Sequence, residues 1–164
     1  MIATTKIRVR YKDTDCMKVV YYGNYLTYFE VARVEFLRQQ GHAMSEVDQK
    51  VRMPVVEASV RYHKPAVLDE LLEARCWIAE RKRASFRFGY DLLNEQGERV
   101  ATGFTLHACW DPSSSKMIAV PDWLARIMPV HVGGSEMAPH TAPRSEAPRR
   151  SRGAPLSSDH PSPP

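Results

Sequence analysis

The chain has 164 residues, 43% of them hydrophobic, with 23 Lys and Arg against 19 Asp and Glu. That is long enough for one domain with a real core and too short for two comfortable ones, while a net charge of +4 is too mild to argue for a nucleic-acid partner. Three scattered cysteines, Cys16, Cys76 and Cys109, make no CxxC pair and suggest neither a zinc site nor a disulfide framework; with no apolar run near the ~18 residues of a membrane span, the expectation is a cytoplasmic protein without stable membrane insertion.

In chain order, residues 4–11 (TTKIRVRY) set Ile7, Val9 and Tyr11 against Lys6, Arg8 and Arg10, the period of a strand with one face covered. A joint rich in Asp and Tyr follows. From Asn24 to about Gln40 the period is helical, with Asn24 as cap, Gly41 as stop, and Tyr25, Tyr28, Phe29, Ala32 and Phe36 at three- and four-residue steps. Leu26, Val31, Val34 and Leu37 widen that apolar face, so the helix is expected to be largely enclosed. A loop is expected through GHAMSEVDQKVRMP.

Alternation then returns four times. The expected inward sets are Val56, Ala58, Val60 and Tyr62; Leu72, Ala74, Cys76 and Ile78; Phe86, Phe88, Tyr90 and Leu92; and Val100, Phe104, Leu106, Ala108 and Trp110. The short NEQGE connection (Asn94 to Glu98) predicts a hairpin, and the four strands are expected to pair as an antiparallel meander. One strand, one buried helix and four strands make an α+β domain, a curved sheet of about five strands wrapped around one long central helix.

The domain is expected to span residues 1–130. Residues 131–164 hold seven of the 12 prolines and six serines, and Leu156 is their only Leu, Ile or Phe. So few apolar side chains cannot offset the entropy of ordering, which predicts a disordered Pro/Ser/Arg-rich tail. Without it the domain carries 19 basic against 16 acidic residues.

The strand-to-helix joint, KDTDCMKVVYYGN, gathers unpaired backbone N–H groups at the positive end of the helix dipole. The N–H groups near Tyr22, Gly23 and Asn24 form a candidate oxyanion hole, and Gly23 permits close backbone approach. Asp15, seven residues before Tyr22, is the candidate nucleophile or base for cleaving an ester or thioester. Against this stands a plain alternative, in which Asp13 and Asp15 only make side-chain turns to nearby N–H groups. His63, outside the acid loop, reads as a surface or interface histidine.

RVRYKDTDCMKVVYYGNYLTYFEVARVEFLR resembles the opening of the hotdog-fold acyl-CoA thioesterases, in the branch that holds 4-hydroxybenzoyl-CoA thioesterase and the Tol-Pal-associated thioesterases. The pattern Y-x-x-x-D-x-x-G-x-V-Y-x-x-x-Y-x-x-x-x-E-x-A-R is met by Tyr11, Asp15, Val20, Tyr21, Tyr25, Glu30, Ala32 and Arg33. The likeness runs more loosely to about residue 127. It implies a hotdog fold, hydrolysis of an acyl or aroyl thioester to free acid and coenzyme A, Asp15 as the catalytic carboxylate, the Tyr22 N–H polarising the carbonyl, and Tyr11 orienting the site. Gly23 and Asn24, with Lys82, Arg83 and Ser85 in the basic turn ERKRASF, are the implied substrate contacts. No cofactor or metal is implied, because coenzyme A belongs to the substrate. The implied assembly is a homodimer or homotetramer. Two departures stand out: Lys18 replaces the pattern's glycine, and Tyr22 stands where many Tol-Pal-type relatives carry His. Hydrolysis on an acyl carrier protein, and a non-catalytic acyl-CoA-binding scaffold, remain the alternatives.

Overall fold

The computed structural model describes residues 1–132. The expected tail lies outside them, apart from His131, whose backbone N–H donates to Ile78 O at 2.8 Å, and Val132. Strand β1 (Ala3–Arg8) leads through a 3-10 turn (Tyr11–Asp13) into helix α1 (Asn24–Gln39). A short helix α2 (Met44–Lys50) occupies the stretch expected to be a loop, and buries Val47. It is followed by β2 (Val55–Tyr62), β3 (Leu71–Arg81), β4 (Ser85–Leu93), β5 (Arg99–Ala108) and helix α3 (Asp122–Ile127).

The five strands form one antiparallel sheet in the order β1-β3-β4-β5-β2. Only β3, β4 and β5 make the expected meander. The β2 strand pairs with β5 at the far edge instead, because its link to β3 is no tight turn. That link, residues 63–70, is tied to the acid loop: Val20 N–H donates to Ala66 O at 2.9 Å, and Val19 bridges Val67. The loop after β1 and the entry to β3 are therefore fastened together at one end of the sheet.

Helix α1 lies in the concave face, with Tyr25, Tyr28, Phe29, Ala32, Phe36 and Leu37 buried. Phe29 stacks on Tyr90 of β4 (4.4 Å between centroids, 4° between planes), and Phe36 meets Phe88 edge-on at 5.6 Å. Each such ring contributes about 1.5–3 kcal/mol through burial. Enclosure is one-sided, since Leu26 and Val31 remain over 40% exposed beside the open edge of β2.

From Ala101 to His107 the inward face of β5 is the opposite of the one expected, although Val100 and Ala108 are buried as expected. Register places Ala101, Gly103, Thr105 and His107 opposite the inward Leu92, Tyr90, Phe88 and Phe86, so Phe104 and Leu106 project from the convex side, and Trp110 is 37% exposed. Bulk explains the reversal: a Cβ on Gly103 would sit 2.4 Å from Phe29 Cε2, and helix and sheet meet too closely there for a large residue. On the convex face Gly89 has the same role beneath Trp77.

Candidate active site

Asp13 and Asp15 have different occupations. Asp13 is buried, and its carboxylate accepts from the Arg10 backbone N–H, the Arg10 guanidinium and the Tyr28 hydroxyl, all at 3.0–3.1 Å. Burial alone would raise its pKa, but these donors outweigh it and hold the carboxyl below its ordinary range. Its backbone O also takes hydrogen bonds from Tyr21 N–H and Asn24 Nδ2. Asp13 is thus the anchor that joins the acid loop to the start of α1.

Asp15 is half-buried, and its Oδ1 accepts from Met17 N–H at 2.8 Å, a side-chain turn that fixes the carboxylate. The loop is closed by Asp15 N–H to Val19 O and Lys18 N–H to Asp15 O, both 2.9 Å. Lys18, the residue in the glycine's place, has φ +63°, so the loop keeps a left-handed turn despite the side chain. Asp15 lines an open cleft of about 360 Å³ with Met17, Val20, Tyr22, Tyr25 and Tyr62.

At the helix start, Gly23 is the N-terminal flanking residue with φ −69°, a conformation any residue adopts; a Cβ there would lie 3.0 Å from the Tyr21 ring. Asn24 does not cap the helix as expected. Its backbone N–H donates to Tyr21 O, and its side chain is committed to Asp13 O. Among the described residues the amides of Tyr22 and Gly23 have no acceptor. Free N–H donors at Tyr22, which lines the cleft of the fixed carboxylate, and at the adjacent Gly23 can polarise a carbonyl while the carboxylate attacks it or activates water.

The model of the thioesterase superfamily matches residues 17–101, from the acid loop through α1 into β5. The chain belongs to that superfamily. A putative acyl-CoA thioesterase of Bacillus subtilis, YneP, is 34% identical over 127 residues, 74% of this chain and 92% of that protein. The acyl-CoA thioester hydrolase YbgC of Escherichia coli is 32% identical over 116 residues, 70% and 87% of the two chains. Among solved structures, a DHNA-CoA thioesterase from Staphylococcus aureus superposes with a TM-score of 0.70 at 33% identity, covering 74% of this chain and 85% of that one.

Within this thioesterase domain the remaining expected site residues fall in other places. Tyr11 is 82% exposed on the 3-10 turn and lies outside the cleft lining. Lys82, Arg83 and Ser85 sit in the β3–β4 turn, where Lys82 N–H donates to Ser85 O at 2.7 Å and the Lys82 ammonium pairs with Glu80. The acid loop is at the other end of β3, beside Leu71, the partner of Arg8. Eleven residues of strand separate the two ends by roughly 30 Å, so one protomer does not bring the basic turn to Asp15.

Sequence reading missed Tyr62. Its hydroxyl donates to Tyr22 O at 3.0 Å, and its ring packs edge-on to Tyr25 at 5.1 Å, which fixes the carbonyl of Tyr22 beside the cleft that Tyr22 lines. Its position as the last inward residue of β2 was the available signal. His63, one residue on, also lines this cleft, and its Nε2 bonds Thr102 Oγ1 at 2.9 Å.

Proposed function

We propose that the protein is an acyl-CoA thioesterase that hydrolyses an acyl or aroyl thioester to the free acid and coenzyme A. The observation that carries this reading is that the turn-fixed Asp15 carboxylate lines one cleft with Tyr22, whose amide, like that of the adjacent Gly23, has no acceptor among the described residues. The thioester carbonyl sits against those amides, which take up the negative charge as the tetrahedral intermediate forms. A pair of such donors contributes roughly 10²–10³ in rate per donor removed.

Asp15 acts in one of two ways. As general base it removes a proton from water, whose oxygen adds to the carbonyl; as nucleophile it adds directly, and water later cleaves the mixed anhydride. In both, the C–S bond breaks with its electron pair on sulfur, which gains a proton to leave as the thiol. Neither route calls for a metal.

A homodimer or homotetramer suits the exposed apolar residues Leu26, Val31, Val55 and Val56 along α1 and the unpaired edge of β2. In such an assembly the phosphates of coenzyme A meet Lys82, Arg83 and Ser85 from another subunit, because the turn of the same subunit is too far from Asp15. The free cysteines suit a cytoplasmic setting.

The test is thiol release from acetyl, butyryl, hexanoyl, lauroyl, benzoyl and 4-hydroxybenzoyl coenzyme A. Turnover of one or more is the expected result. Binding without turnover across the panel, by a folded protein, overturns the reading in favour of an acyl-CoA-binding scaffold, unless matched carrier-protein thioesters are cleaved instead.

A further inference from the structure

The amides of Tyr22 and Gly23 belong to peptides whose carbonyls are held from the other side. In a trans peptide the C=O and the N–H that follows it point in opposite directions. A bond to Tyr21 O therefore sets the direction of the Tyr22 N–H, and a bond to Tyr22 O sets that of the Gly23 N–H. Asn24 N–H makes the first bond, at 2.9 Å. The Tyr62 hydroxyl makes the second, at 3.0 Å, and this one comes from a side chain 40 residues away.

Tyr62 is braced in that place. Its backbone is the last rung of β2, opposite Ala101 of β5. Its ring meets Tyr25 edge-on at 5.1 Å, and the buried Tyr25 in turn accepts from Ala66 N–H at 3.4 Å. Partial burial and, to a lesser degree, the Tyr22 phenol raise the pKa of Tyr62, so its hydroxyl keeps the proton it donates. Tyr62 also lines the Asp15 cleft together with Tyr22.

Two effects on the Gly23 amide follow. Glycine restrains its own backbone less than any other residue, so the peptide that enters it needs an outside hold, and a donor fixed before reaction needs no reorganisation as charge develops. A hydrogen bond to the C=O also polarises the peptide and strengthens its N–H as a donor, by about 10–30%.

We infer that Tyr62 is a positioning residue of the oxyanion hole, which through the carbonyl of Tyr22 orients and strengthens the Gly23 N–H. The inference rests on the thioesterase reading of the Asp15 cleft, and it concerns only what holds the donors there. Tyr62 acts through the peptide and not on the substrate, because its single hydroxyl proton is given to Tyr22 O.

The test compares Tyr62→Phe with wild type in two ways: turnover of the coenzyme A thioester that wild type cleaves fastest, and ¹⁵N–¹H spectra of the full chain labelled on its eight glycines. Loss of one signal in Gly23→Ala assigns Gly23. Phenylalanine keeps the ring against Tyr25 and removes only the donor, so Tm and size-exclusion volume are expected to stay at wild-type values. The expected result is a kcat about tenfold lower with KM within about twofold, and a Gly23 amide proton that moves to higher field, further than any other glycine. Tyr62→4-aminophenylalanine, which restores a weaker donor at the same ring position, is expected to give intermediate values of both. An unchanged kcat in Tyr62→Phe overturns the inference, and so does a lowered kcat with the Gly23 signal unmoved. Should Tyr62→Phe not fold, the 4-aminophenylalanine variant decides, and wild-type values of kcat and shift there overturn it. Absence of turnover by wild type on every thioester refutes the thioesterase reading instead; the Gly23 shift, measured without substrate, still reports whether Tyr62 holds the amide.

Discussion

Replacing Gly103 by alanine tests the helix–sheet contact on which the site is built. The new methyl would lie 2.2 Å from the backbone O of Ser59 on β2, and 2.4 and 2.9 Å from the Phe29 ring. An ordinary carbon contact begins near 3.4 Å, so β2 or α1 must retreat by about 1 Å. Neither is a loose side-chain tip: one obstacle is backbone, and the other is a fully buried ring stacked on Tyr90. Overpacking of this kind costs about 3 kcal/mol, which for a domain of this size lowers Tm by roughly 10 °C. Gly97→Ala is the control, since φ is +76° but nothing lies within 4 Å, so only backbone strain of about 1 kcal/mol applies. Thermal melts followed by far-UV circular dichroism compare the two. If Gly103→Ala melts no lower than Gly97→Ala, the close approach is wrong.

Other predictions follow from single contacts. Lys18→Gly relieves the left-handed strain at φ +63°, offset by the entropy of glycine, and is expected to raise stability by up to about 1 kcal/mol; a clear loss in urea denaturation would contradict this. Tyr28→Phe removes the hydroxyl that donates to the Asp13 carboxylate and should cost roughly 1.5–3 kcal/mol; a loss below 0.5 kcal/mol by the same measurement would show that the pair does not anchor the loop. His107 has a folded pKa of about 4, against 6.5 for the free side chain. The unfolded chain therefore binds the extra proton between those values, so stability falls as pH drops from about 6.5 to 4, on the order of 3 kcal/mol in all. Asp13, with its pKa depressed, adds its own loss only at lower pH, as its carboxylate is protonated. Chemical denaturation at stepped pH reads the slope, and a His107→Gln variant that keeps it would refute the assignment.

Much of this domain was legible because its strongest patterns are local. The rings of α1 recur at helical steps, and the apolar residues of β3 and β4 at alternate positions, so periodicity located the core of all three. The NEQGE hairpin followed from turn chemistry, with Gly97 at positive φ. The same rule failed on β5, where Phe104 and Leu106 look more apolar than Ala101, Gly103, Thr105 and His107. Inward placement there is decided by the space that Phe29 leaves, a property of the partner element. Placement of β2 beside β5 was equally illegible, since strand order depends on where an eight-residue link can run. At the site, Asp15 and Tyr22 were readable because one loop carries both. Tyr62 was not singled out for a role, because its neighbours Tyr22 and Tyr25 come from elements far away in sequence.

The central claim is that the acid in the loop performs the chemistry while its neighbour Asp13 holds the loop in place. Asp15→Asn keeps the side-chain acceptor for Met17 N–H and so should preserve the fold, with a circular dichroism spectrum and Tm close to wild type. Measured on whichever coenzyme A thioester wild type turns over fastest, its kcat is expected to fall by at least about 10². A folded Asp15→Asn protein with undiminished kcat would contradict the account.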